Sequence, residues 1–348
     1  MGFFPLDRQL KLVDHHWTPE TLKGILQLGV EIPSYRRAAE AYEALTKMAV
    51  SKSELQRLAE EYGGQLVAIE AEAAAATVKA PGRDDEVITV RQMPKPDSEV
   101  MAVALDGVMI NVLEEGWKEV RIATFSAVEA SVAEERDEEK EVRLTHHSYR
   151  AGLWEAKEFA TQQWAEGCRR GLERARQIVA VADGAHWIWM IILMCYAPCI
   201  EIIDWWHAVE KLWATANGVF GAGDGQAVRW VDAQKQLLWR GNLRAILAAL
   251  RVQCPRGQPL SAAVWSTISY LYHNRRRMAY ASFRHAGYPI GSGSVESACK
   301  VVVQARMKQA GMRWSRRGAQ AMLALRCALL SGRWDSVWPT PAPVAQPT

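Results

Sequence analysis

Two short apolar runs that each close on an aspartate constrain this chain more than any other feature. Asp106 stands in VALDGV and Asp183 in VAVADGAH. A carboxylate at the end of a run that must be buried is costly unless a partner offsets it. Each is an Asp-Gly at the carboxyl end of an expected buried strand, the place where open α/β sheets build their sites. The competing reading is that Asp-Gly only turns the chain after a strand.

The elements around these runs can be read from periodicity. Residues 18 to 75 read as helices: Thr18-Pro19 is a cap followed by a first-turn proline, a second helix carries Tyr35 to Thr46, and Ser51 with Glu54 fits a capping box. The third helix begins at Lys52 and carries Arg57, so the region resembles a helix-turn-helix in outline, with a plain helical bundle as the alternative. Ala68 to Lys79 continues helical. Pro81, Gly82, Pro94 and Pro96 then mark a linker over 81–97.

From residue 98 the period becomes that of strands: Val100 to Ile110, Lys118 to Ser126, and Glu141 to Tyr149. An acidic run, Glu134 to Glu141, reads as a solvated hairpin loop. A long helix over Ala151 to Arg176, a strand Gln177 to Ala182, a helix to Met194 and a strand Cys199 to Ile203 follow. Residues 205–288 read as a helical block rich in tryptophan, which interrupts the core; 289–338 return to it, with a helix from Ser294 to Ala310. The Pro-rich stretch 339–348 reads as a disordered tail. Three antiparallel-type strands followed by helix, strand, helix and strand is the element order of a ribonuclease-H-like fold, so the expected class is α/β with that core, an all-helical insertion and an N-terminal helical region of residues 1–80.

Composition excludes several classes. Hydrophobic residues at 49% and charged residues at 23% are those of a globular protein. The six cysteines contain no C-x-x-C pair, so reduced thiols are expected rather than a zinc site. The most apolar run, Trp187 to Ile200, is 14 residues, short of the roughly 20 that span a bilayer. No membrane association and a cytoplasmic, nucleoid-associated location are expected. Charge is uneven: Lys300 to Arg333 holds eight Lys or Arg and no Asp or Glu. Such clustering suits a polyanion, although a solvated basic face has the same composition.

A third carboxylate, Glu296, follows Gly291-Ser292-Gly293 in the first turn of a late helix, where capping alone also places acids. Two aspartates on neighbouring strands and a glutamate from that helix can converge on hard divalent cations, which take oxygen ligands. Asp204 also ends an apolar strand and competes with Asp183. The fourth strand of such a sheet adjoins the first, which favours Asp183. His146 and His147, adjacent on a strand, face opposite ways and cannot serve one site. The tryptophans of the insertion read as core packing or as platforms for unpaired bases.

LDG at Asp106, ADG at Asp183, DWWH at Asp204 to His207 and GSGSVES around Glu296 together resemble the DDE transposases of bacterial insertion sequences, in the broad Mutator-like group. The stretch YPIGSGSVESACKVVVQARMKQAGMRW, Tyr288 to Trp314, is most similar to the ISKra-type family. The resemblance covers residues 3 to 338. It implies that Asp106, Asp183 and Glu296 form a catalytic triad holding magnesium or manganese, and that Asp204 and His207 are an accessory Asp-x-x-His pair. It also implies strand cleavage at transposon ends, strand transfer into target DNA, and assembly as a homo-oligomer on DNA. Lys300, Arg306, Lys308, Arg313, Arg316 and Arg317 are then expected on the phosphate backbone. Family members carry a Cys pair ahead of the FFPLD stretch, whereas this chain begins at Met1 directly before it. A catalytically inactive DNA-binding remnant acting as a regulator is therefore the alternative reading.

Overall fold

The computed structural model describes residues 17–78, 94–131, 141–253 and 261–338. The FFPLD stretch, residues 79–93 with most of the expected 81–97 linker, most of the acidic run, Cys254 and the tail from 339 lie outside the described residues. The architecture is mixed α/β. Five strands, β1 (Val100–Val112), β2 (Gly116–Ala130), β3 (Val142–Gly152), β4 (Gln177–Ala182) and β5 (Ile200–Ile203), form one sheet in the order β3-β2-β1-β4-β5. β1, β2 and β3 are antiparallel neighbours; β4 runs parallel to both β1 and β5.

The N-terminal helices start where their caps put them. In α1 (Pro19–Glu31) the Thr18 hydroxyl accepts from the Thr21 N–H at 3.3 Å, and α2 (Tyr35–Thr46) is capped by Ser34. In α3 (Lys52–Val78) the Ser51 hydroxyl accepts from the Glu54 N–H at 3.0 Å. Arg57, the basic residue of the expected DNA-reading helix, is held in ion pairs by Glu54 and Glu61 at 2.7 and 2.8 Å. These helices share one apolar core with α12 (Arg316–Leu330) and one face of the sheet, through Leu26, Leu55, Leu58 and Met322 against Val108 and Ile110.

The second face of the sheet is covered by α4 (Ala156–Arg169), α5 (His186–Tyr196) and helices from the stretch between β5 and residue 288. Alternation along β1 sorts the two cores: Met101, Val103 and Leu105 face this second core, while Ala104, Val108 and Ile110 face the first. The expected long helix over 151–176 is shorter. β3 continues to Gly152, and Gly171, in the left-handed region at φ 71°, ends the helical stretch after Arg169. A Cβ at Gly171 would meet the Pro94 carbonyl at 2.4 Å, so the turn needs glycine.

Residues 205–288 are helical where described: α6 (Trp205–Phe220), α7 (Gly225–Trp239), α8 (Leu243–Val252), α9 (Ala262–His273) and α10 (Tyr280–Ala286). The chain then enters α11 (Gly293–Ala298), which widens into a π-helical turn over Cys299–Gln304 before a last α-helical turn to Met307. The expected uniform helix to Ala310 is thus replaced by one with a bulge. Single π-turns of this kind concentrate at functional sites.

Candidate active site

The parallel pairing of β1 with β4 places the first two carboxylates together. Ala104 lies opposite Val181; Asp106 is two residues further along β1, and Asp183 two residues further on, one past the end of β4. β1 itself does not end at Asp106. It runs on to Val112 because β2 continues to pair with it, Asp106 opposite Ile122 and Val112 opposite Gly116. What ends there is β4, so Asp106 sits at the edge of the parallel half of the sheet.

Asp106 shares its face with Ala104 and Val108, the face that α11 covers through Val295, Ala298 and Cys299. Its Oδ1 accepts the Gly107 N–H at 2.7 Å and its Oδ2 accepts the Cys299 thiol at 3.3 Å. Burial raises the Asp106 pKa; the Gly107 and Cys299 hydrogen bonds oppose it, the Asp183 charge adds to it, and His207 opposes it again. Burial also raises the Cys299 pKa, with the charges of Asp106 and Glu296 adding to it, which keeps the thiol protonated as a donor.

Asp183 serves a turn as well as the site. Its Oδ1 accepts the Ala185 N–H at 2.8 Å, and its carbonyl accepts the Tyr270 hydroxyl at 3.2 Å. Gly184, at φ 103°, lies so close that a Cβ would stand 3.1 Å from the Tyr270 ring. The two readings of Asp-Gly at this position are therefore compatible.

Asp204 is fully buried and caps α6, with Oδ1 accepting both the backbone N–H of His207 at 2.8 Å and its ring Nδ1 at 3.0 Å. Its Oδ2 accepts the Ser292 N–H at 2.5 Å. Burial pushes the carboxyl up, but the hydrogen bonds from His207 and Ser292 outweigh it and hold the pKa below its usual value. The same bond to Asp204 lifts His207 to about 8, with burial opposing and Glu210 and Asp183 adding. Glu296 is half-buried, and its Oε1 accepts the Ser292 hydroxyl at 3.0 Å.

Cys299 thus connects Asp106, through a hydrogen bond, with the charge of Glu296, while the charge of Asp183 reaches both Asp106 and His207. Among the described residues, no three or more His, Cys, Asp or Glu side chains form a group that could hold a metal ion. The donors are nevertheless carboxylate oxygens, the ligand type of a hard cation, and Asp106 is a half-buried acid beside a like charge, which a cation would relieve. Sequence reasoning missed Ser292, Cys299 and Tyr270. The first two lie four residues before and three after Glu296, the spacing that puts side chains on one helical face; nothing local to Tyr270 signals its partner 87 residues away.

The basic residues divide. Lys300, Lys308, Arg313 and Arg317 are exposed. Arg316 is exposed but binds Glu115 through two nitrogens at 2.8 and 2.6 Å. Arg306 corrects the expectation of a phosphate contact: it is 1% exposed, donates to the Gly29 carbonyl at 3.0 Å, and lies over the rings of Tyr35 and Trp314. The carbonyls of Gly29 and Pro33 and the two aromatic rings hold this cation inward as a tether. Of the insertion's tryptophans, Trp205 packs edge-on against Trp239 and Tyr280, while Trp206 and Trp265 are exposed. His146, at φ 48° beside a β-bulge, and His147, bonded to Ser126 at 2.8 Å, lie on β3. No helix among the described residues is long and apolar enough to cross a membrane.

The chain is an α/β protein in which Asp183 follows the end of a parallel strand and Asp106 lies on the strand beside it. Comparison with family models gives no match, and comparison with curated proteins gives none either.

Proposed function

We propose that this chain is a DNA transposase with a ribonuclease-H-like core, in which Asp106, Asp183 and Glu296 hold magnesium or manganese. The observation that carries the reading is the register that brings Asp106 and Asp183 to corresponding positions on adjacent parallel runs, with Cys299 bonded to Asp106 and within reach of the Glu296 charge. The strand order β3-β2-β1-β4-β5, antiparallel then parallel, supports the core assignment. Bound cations would supply activation of the attacking oxygen and stabilisation of the leaving one in phosphoryl transfer.

The reaction is hydrolysis of a phosphodiester at the transposon end, which breaks a P–O bond and leaves a 3′ hydroxyl. That hydroxyl then attacks a target phosphate, forming a new P–O bond as the target 3′ oxygen leaves. The chain's own residues bind and orient. Lys300, Lys308, Arg313 and Arg317 are the exposed cations for the phosphate backbone, and the assembly is a homo-oligomer on paired DNA ends, associated with the nucleoid.

The test is nicking of supercoiled plasmid by purified protein in magnesium or manganese. Cleavage that depends on metal and is abolished by Asp106→Ala and by Glu296→Ala supports the reading. DNA binding without cleavage in either metal overturns it in favour of a non-catalytic regulator.

A further inference from the structure

We infer that Asp204 and Ser292 form a positioning relay that fixes the Glu296 carboxylate: buried Asp204 clamps the Ser292 backbone, and the Ser292 hydroxyl holds Glu296. The role assigned to Glu296 rests on the proposed function; the relay itself does not. A serine just before a helix ordinarily caps it by accepting an N–H of the first turn. Ser292 makes no such bond, and its backbone, at φ −84° and ψ 15°, lacks the extended cap conformation. Its hydroxyl donates to Glu296 Oε1 at 3.0 Å and also lies within reach of the Asp204 carboxylate.

The backbone of the same residue is fixed independently. Ser292 is 4% exposed, its N–H donates to Asp204 Oδ2 at 2.5 Å, and two residues earlier the Ile290 carbonyl accepts the Trp205 N–H at 2.9 Å. The start and the end of the helical insertion are therefore zipped together at Asp204–Trp205 and Ile290–Ser292. Glu296, one turn later, inherits its position from that junction. The Asp-x-x-His pair acts on the site through Ser292, so Asp204 and Ser292 are positioning residues, not metal ligands.

The experiment compares wild type, Ser292→Ala, Ser292→Thr and Asp204→Asn as full-length protein. Asparagine is as good a helix N-cap as aspartate, so Asp204→Asn keeps α6 capped while weakening the clamp. In hydrogen exchange without metal or DNA, Asp204→Asn speeds exchange of the amides from Ile290 to Glu296; exchange unchanged from wild type overturns the clamp. Manganese binding, followed by electron paramagnetic resonance, weakens about tenfold in Ser292→Ala, the range for loss of a group that orients a ligand, and Ser292→Thr restores it. Equal manganese affinity in wild type and Ser292→Ala overturns the link to Glu296. If wild type itself binds no manganese, the proposed function and the Glu296 link fail together, while the exchange result still decides the clamp.

Discussion

Arg326 offers the sharpest test of how the region around Glu296 is held. Its side chain is 5% exposed, and it donates to three backbone carbonyls: Val302 at 2.5 Å, Val30 at 2.6 Å, and Val301. Val301 and Val302 lie within the π-helical turn, and Val30 lies near the end of α1, so one guanidinium ties α12, the π-turn and the N-terminal helices together. Burial lowers its pKa to about 10, which leaves it charged at neutral pH. Arg326→Met keeps the length of the stem and removes every donor. Each carbonyl left unpaired costs about 1–3 kcal/mol, and the exposed flank of Val301 lets water serve one of them. Relief of burying a charge offsets part of the rest, so the net loss is about 1–4 kcal/mol. Urea unfolding followed by tryptophan fluorescence and far-UV circular dichroism measures it, with exposed Arg317→Met as a control expected within about 0.5 kcal/mol of wild type. A loss below about 1 kcal/mol for Arg326→Met would refute the idea that these carbonyls depend on it.

Other expectations follow from the same geometry. His207 is lifted from 6.5 to about 8 by Asp204, so its contribution to stability is full below pH 6.5 and fades as pH rises through about 8; a nuclear magnetic resonance titration of its ring should show that midpoint, falling in Asp204→Asn, and a wild-type midpoint at or below 6.5 refutes it. Neutralising Lys308, Arg313 and Arg317 should flatten the dependence of log DNA affinity on log salt by about 0.9 per residue removed, and an unchanged slope in the triple variant removes them from the interface. Gly63 on α3 faces α12 so closely that a Cβ would stand 2.6 Å from the Ala321 carbonyl; Gly63→Ala should cost about 1–3 kcal/mol in the urea assay through overpacking, and wild-type stability would show that the helices separate freely.

Local signals carried the elements well and their company poorly. The starts of α1, α2 and α3 were legible because capping is written within four residues, and the strands because alternation is written within ten. Arg306 was misread for the opposite reason. A basic run reads as a surface until the partners are known, and the Gly29 carbonyl and the Tyr35 ring come from more than 270 residues earlier. The first strand was expected to run to Ile110 with Asp106 read as a possible turn; pairing with β2 as far as Gly116 carries it through Asp106 to Val112. Ser292 was passed over because a serine between two glycines has an ordinary local explanation, which the hydroxyl's bond to Glu296 displaces.

The helical stretch over 205–288 explains how Glu296, 113 positions beyond Asp183, is placed. The chain leaves the sheet after β5 at Asp204 and returns at Ile290, and the two ends are joined by the Trp205–Ile290 and Ser292–Asp204 hydrogen bonds. Tyr280 donates to the Ile203 carbonyl at 3.0 Å and Tyr270 to that of Asp183 at 3.2 Å, so the insertion also grips the strand ends. Each of these bonds spans at least 77 residues, so each closes a long loop whose entropy cost must be offset by the packing around it. The position of Glu296 thus depends on how the helical stretch 205–288 packs, and disturbance of that packing should reach Glu296 through Ser292 without touching either.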